Sequence, residues 1–94
     1  MSLESSRGNV VSPDQCRQAR AILKWTRGEL ADAAGVTSWV VAAFEDGAEV
    51  LPFYEMEIRA ALEAVGIGFL FEIENGVVRP AGVTYSPRGK PTRR

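Results

Sequence analysis

The segment "GVTSWVVAAFEDG", residues 35–47, decides how this chain is read. Gly35 suits the position just past a helix, where a left-handed backbone is common. Thr37 can cap a new helix, and Gly47 can end it. On that helix, residues 39, 42, 43 and 46 share one face by their spacing. They are Trp39, Ala42, Ala43 and Asp46, a smooth apolar spot with an acidic edge. Another helix can lie close to such a spot, because alanines permit close approach. The whole segment contains no Arg, Lys, Asn or Gln.

Working outward toward the N-terminus, "TRGE" at 26–29 places Thr26 as a cap with Glu29 three residues on, a capping box. A helix with Leu30, Ala31 and Ala34 inward should follow and stop at Gly35. Before it, "SPDQ" at 12–15 combines a cap, a proline suited to the first helical position and a glutamine three after the cap. The helix it starts is expected to reach about Trp25, with Cys16, Ala19, Ile22 and Leu23 on its apolar face. Residues 1–11 read as a disordered lead, small and polar without a period.

Toward the C-terminus, "GAEVLP" reads as a loop closed by Pro52. A helix over about 53–65 follows, with Ile58, Ala61, Leu62 and Val65 as its apolar stripe. The period then changes. Phe69, Phe71 and Ile73 alternate with Leu70, Glu72 and Glu74, and Asn75-Gly76 is a strong hairpin signal. Strands over about 69–74 and 77–85 are expected, with Pro80 pointing to an edge or a bulge because it lacks an amide donor. The tail from 86 to 94 is Pro-rich and basic and reads as disordered. The expected organisation is a lead (1–11), a helical domain (12–67), a hairpin extension (68–85) and a tail (86–94).

Formal net charge is -1, but the charges are sorted along the chain. Residues 1–27 carry net +3, residues 28–78 net -9 and residues 79–94 net +5. Affinity for DNA depends largely on neutralising phosphates, so an acidic centre should repel it. The one cysteine, Cys16, excludes an intrachain disulfide framework and fits a cytoplasmic protein; on an apolar helix face it reads as core. No apolar run approaches the length of a membrane span, and the N-terminus lacks the pattern of a signal peptide. The chain has no His, no Cys cluster, no phosphate-binding loop and no nucleophile elbow. The expectation is therefore a protein that is not an enzyme and has no cofactor and no metal.

From Ser12 to Phe69, about two thirds of the chain resembles the Cro/C1-type (XRE) helix-turn-helix family. The resemblance rests on "RQARAILKWT", "ELADAAGV", "FEDG" and "IRAALEAVGIGF". It implies a mainly α, compact four- to five-helix domain of the lambda-repressor-like kind, closed here by a C-terminal β-hairpin, with a role in transcriptional control. It also implies that Val36, Val41 and Phe44 pack inward and that Glu45 supports the turn after its helix. In family members the exposed positions of the recognition helix are usually polar or basic; here they are Ser38, Trp39, Ala42, Ala43 and Asp46. The phosphate-touching Gln that often opens the preceding helix is replaced by Arg27 or Gly28. Base edges are read by donors and acceptors, and these side chains supply almost none.

The expectation is accordingly a transcriptional regulator that binds protein instead of DNA. It is similar to the small antiactivators, carried on mobile elements of rhizobial bacteria, that hold quorum-sensing activators away from DNA. The candidate partner-binding residues are Ser38, Trp39, Val40, Ala42, Ala43, Asp46 and Glu49, with Asp46 and Glu49 placed to steer a basic partner. Trp39 either folds back onto the domain near Phe53 or Tyr54, or stands exposed as an anchor. The alternative is a dimeric Cro-like repressor with Arg17, Arg20, Lys24 and Arg27 on phosphates. An antitoxin-like module is a third class, but the tail lacks apolar anchors. "LFEIE" has the character of an exposed edge and offers a homodimer route by strand addition.

Overall fold

The computed structural model describes residues 10–87. Among the described residues four helices come first: α1 (Pro13–Leu23), α2 (Arg27–Ala34), α3 (Ser38–Glu45) and α4 (Pro52–Ala64). Two antiparallel strands follow, β1 (Ile67–Glu74) and β2 (Val77–Tyr85). The capping signals act as their spacing predicts. Ser12 and Gln15 exchange both bonds of a capping box at α1, and Thr26 and Glu29 do the same at α2. Thr37 caps α3 by accepting from the Val40 amide. Gly35 adopts φ 73° beyond α2, a conformation that costs glycine little and other residues more. α1 ends sooner than its periodicity suggests, because Lys24 turns left-handed at φ 59°. Ile22, expected inward, is exposed as a result of its place in that last turn.

The core is built from Cys16 and Ala19 of α1, Leu30, Ala31 and Ala34 of α2, Val41 and Phe44 of α3, and Ile58, Ala61 and Leu62 of α4. Val65, expected on the same stripe, is only half-buried at the helix end. Val11 joins this core, and its amide donates to Glu55 Oε2 at 3.1 Å. The lead therefore does not extend through residue 11 as its composition suggests. The remainder of the lead, residues 1–9, and the basic tail from residue 88 lie outside the described residues.

The mainly α expectation, with four or five helices and a hairpin appended, is corrected by the sheet. The described residues contain four helices, and the strands are long and take part in the core. Ile67 is buried, Phe69 and Val83 pack against the buried cluster, and β2 runs along α1. The architecture is four helices and a two-stranded antiparallel sheet around one core. The strand alternation is legible only from Phe69 onward, so the two residues that dock β1, Ile67 and Gly68, read as the end of the helical part.

The hairpin turns at Asn75 and Gly76, both left-handed at φ 53° and 79°, as a two-residue turn between twisted strands requires. Its register is interrupted once. Leu70 faces Gly82 and Phe71 faces Pro80, which leaves Ala81 as a bulge beside the proline. The bulge opens the ladder, and Gln15 fills the opening. Its Nε2 donates to the carbonyls of Leu70 at 2.8 Å and Gly82 at 2.9 Å, while its Oε1 accepts from the Ser12 amide at 3.0 Å. One buried side chain thus caps α1 and ties it to both strands.

Candidate functional site

The candidate site is α3, whose two sides differ in chemistry. The inner side carries Val41 and Phe44 into the core and ends at Glu45, whose side chain has no exposed surface. A buried carboxylate is costly unless it is paired and hydrogen-bonded. Glu45 is paired by the two preceding helices. Arg20 donates through Nε and Nη2 to its two oxygens, each at 2.8 Å, in a bidentate fork. Arg27 Nε donates to Oε1 at 3.0 Å and Cys16 Sγ to Oε2 at 3.1 Å. Arg17 donates to the Glu45 main-chain carbonyl and pairs with Asp14.

The electrostatics follow from this geometry. Burial pushes the Glu45 carboxyl up, but the hydrogen bonds from Arg20, Cys16 and Arg27 outweigh it and hold the group below the ordinary carboxylate range. Burial, and then the adjoining Glu45 carboxylate, push the Cys16 thiol far above its usual value, so it stays protonated and unreactive. Elsewhere, burial raises the carboxyl of Glu55 despite its bond from the Val11 amide.

The outer side of α3, from Ser38 to Ala43, carries no charged side chain. Trp39 is 76% exposed, beyond any contact that would make it part of the core. It does not fold back on Phe53 and Tyr54; those two rings pack on each other edge-to-face at 5.8 Å. Ser38 is exposed beside Trp39, and Ala42 and Ala43 are half-buried, forming a low floor. Asp46 and Glu49 are exposed at the C-terminal end of this face. Asp46 lies 3.5 Å from Arg27 Nη2, so part of its charge is answered within the chain. Val40 belongs elsewhere: it is half-buried and packs against the core. Of the seven candidate partner-binding residues, Ser38, Trp39, Asp46 and Glu49 are exposed, Ala42 and Ala43 are half-buried, and Val40 packs against the core.

The four cations of the alternative reading are distributed differently from their sequence pattern. Arg20 is committed to Glu45 and also donates to the Trp25 carbonyl at 3.0 Å. Arg27 bridges Glu45 and Asp46, and Arg17 is engaged by Asp14 and the end of α3. Lys24 is exposed, and among the described residues it makes no ion pair. Three of the four guanidinium or ammonium groups thus hold the helices together, and the sequence shows only their charge, not that commitment. A signal was present: an acid on the inner side of α3 requires cations from α1 or α2.

Leu51, Phe53 and Met56 are all exposed, and none of them is among the candidate partner-binding residues that the sequence suggests. The signal for Phe53 and Met56 is a second apolar stripe on α4, at the spacing 53, 56, 60 and 64, opposite the buried one.

No protein-family profile and no curated protein sequence matches the chain. Among the described residues, no helix is long and apolar enough to cross a membrane, and no group of three or more His, Cys, Asp or Glu side chains is placed to hold a metal ion.

Proposed function

We propose that this chain regulates transcription by binding another regulator through the outer face of α3, as an antiactivator that keeps an activator of the quorum-sensing type from its DNA. The observation that carries this reading is Trp39, standing 76% exposed on a helix face that offers no basic side chain. A large aromatic group in water, ringed by small residues and an acidic edge, has the composition of a binding anchor. The internal pairing of Arg17, Arg20 and Arg27 supports the same reading, since each already donates to a group of the chain and Arg20 is largely buried. Asp46 and Glu49 would attract a basic surface, such as the DNA-binding side of an activator.

The test is a capture from the native cell with the full chain as bait, alongside a Trp39→Ala bait. A transcriptional activator retained by the first and lost from the second is expected. A DNA anisotropy titration at physiological salt, using the DNA flanking the gene, completes it. Weak binding that does not depend on sequence is expected. Sequence-specific binding tighter than about 10⁻⁷ M, approaching specific operator affinity, would overturn the proposal in favour of a repressor.

A further inference from the structure

α4 buries Ile58, Ala61 and Leu62 on one side. On the opposite side Phe53, Met56, Ala60 and Ala64 fall in a single stripe of a 3.6-residue helix. All four are exposed, with Phe53 at 60% and Met56 at 61%. The solvent side of a surface helix is ordinarily charged. Single exposed apolar residues need no explanation, but a continuous stripe three turns long, about 16 Å, marks an interaction surface. It has a shape as well: two large side chains at its N-terminal end, and two alanines at its C-terminal end where another backbone can approach closely.

The charge around the stripe names the occupant. By helical spacing Glu57 flanks it on one side and Glu63 on the other. Arg59 is the only base on α4, and its Nε donates to Glu63 at 3.0 Å while its guanidinium lies over the rings of Phe69 and Phe71. We infer that the outer face of α4 is a second docking surface, built for a basic amphipathic helix of a partner protein. The apolar side of that helix seats on Phe53 and Met56 and comes close at Ala60 and Ala64. Lysines or arginines at its margins meet Glu57 and Glu63. A second copy of this chain fits poorly, because pairing α4 with itself brings two sets of the same carboxylates together. The inference does not rest on the role proposed for α3.

The experiment titrates the full-length chain with a Lys/Leu amphipathic helical peptide of about four turns, with its Glu/Leu counterpart as control. Amide chemical shifts report the site, and sedimentation reports the oligomeric state. The expected result is binding of the Lys/Leu peptide only, with shifts concentrated in residues 52–64. The double variant Phe53→Ser/Met56→Ser should weaken it by about tenfold or more. Glu57→Lys/Glu63→Lys should weaken it and reduce its salt dependence. These positions are solvent-exposed or at the helix margin, so folding is checked by thermal melts of the same variants. Trp39→Ala should leave peptide binding unchanged, which separates this surface from α3. Equal binding of both peptides, shifts centred on residues 38–46, or indifference to the α4 variants would overturn the inference. So would a dimer that Phe53→Ser/Met56→Ser dissociates, since that would make the occupant a second copy.

Discussion

On its inner side α3 ends in Glu45, enclosed by Arg20, Arg27 and Cys16; on its outer side, less than two turns away, Trp39 stands in water on a floor of alanines. The inner side gathers charge around a fully buried carboxylate, and the outer side shows an apolar ring with an acidic edge. The difference teaches that basic residues in a sequence are not a basic surface. Arg17, Arg20 and Arg27 lie in the part of the chain with net positive charge, yet their donors point to groups of the same molecule. A carboxylate placed at the end of α3 organises the three-helix contact by engaging Arg20 and Arg27, while Arg17 is held by Asp14 and the Glu45 main-chain carbonyl.

The largest effect should come from breaking the inner side. Glu45→Ala leaves Arg20, largely buried, and Arg27 without their shared partner. A loss of about 3 kcal/mol in unfolding free energy is expected, at the lower end for a broken buried pair because both guanidiniums keep some access to water. Urea denaturation measures it. A loss under about 1 kcal/mol, the scale of a surface pair, would show that the cluster is not what holds α1, α2 and α3 together.

The pairing of α1 with the hairpin provides the next test. Gln15→Glu retains the capping-box acceptor but replaces the donor to the Leu70 and Gly82 carbonyls with a carboxylate. Although Glu serves a capping box as well as Gln, a loss of about 2–3 kcal/mol is expected from the unsatisfied, repelled acceptors. The hairpin amides should lose hydrogen-exchange protection first.

The outer side should respond in the opposite way. Trp39→Ala should change stability by only about 0.5 kcal/mol, as an exposed substitution does, yet cost about 2 kcal/mol or more in affinity for the protein partner. Thermal melts beside a binding assay separate the two quantities. A variant that melts far below the parent would make Trp39 structural and dissolve the contrast between the two sides.

Acid titration sharpens the inner side further. The folded-state pKa of Glu45 is lowered, so its stabilisation is complete above the unfolded carboxylate value of about 4.3 and is lost as pH falls through the lower folded value. Unfolding free energy should decline below about pH 4, and Glu45→Gln should flatten much of that decline. Glu55 acts with the opposite sign: its raised pKa gives stability that is present at low pH and lost as pH rises through its folded value. Glu55→Gln should therefore leave the acid decline steeper than in the parent.

The smallest effect is at Lys24, whose left-handed backbone strains a residue with a Cβ. Lys24→Gly should raise stability by roughly 0.5–1 kcal/mol. Since Lys24 makes no ion pair among the described residues, the same variant removes the most available of the four candidate phosphate contacts. Unchanged weak DNA binding is the expected accompaniment.

Local chemistry was legible in the sequence wherever it acts over a few residues. Both capping boxes, the Thr37 cap, the Gly35 stop, the Asn75-Gly76 turn and the irregularity at Pro80 depend on neighbours three or four positions away, and their side chains declare them. The apolar faces of α2 and α4 follow from helical period for the same reason. Tertiary structure alone decided the long-range pairings. Gln15 reaches residues 55 and 67 positions away, Glu45 draws its partners from helices 18 and 25 positions back, and Val11 enters the core by bonding to Glu55 across 44 positions. No local pattern encodes such contacts, because a buried polar group accepts whichever partner the packing brings within about 3 Å. The same packing left Trp39 outside: its spacing placed it on one face of α3, but only the arrangement of α1, α2 and α4 around the other face determined which side met water.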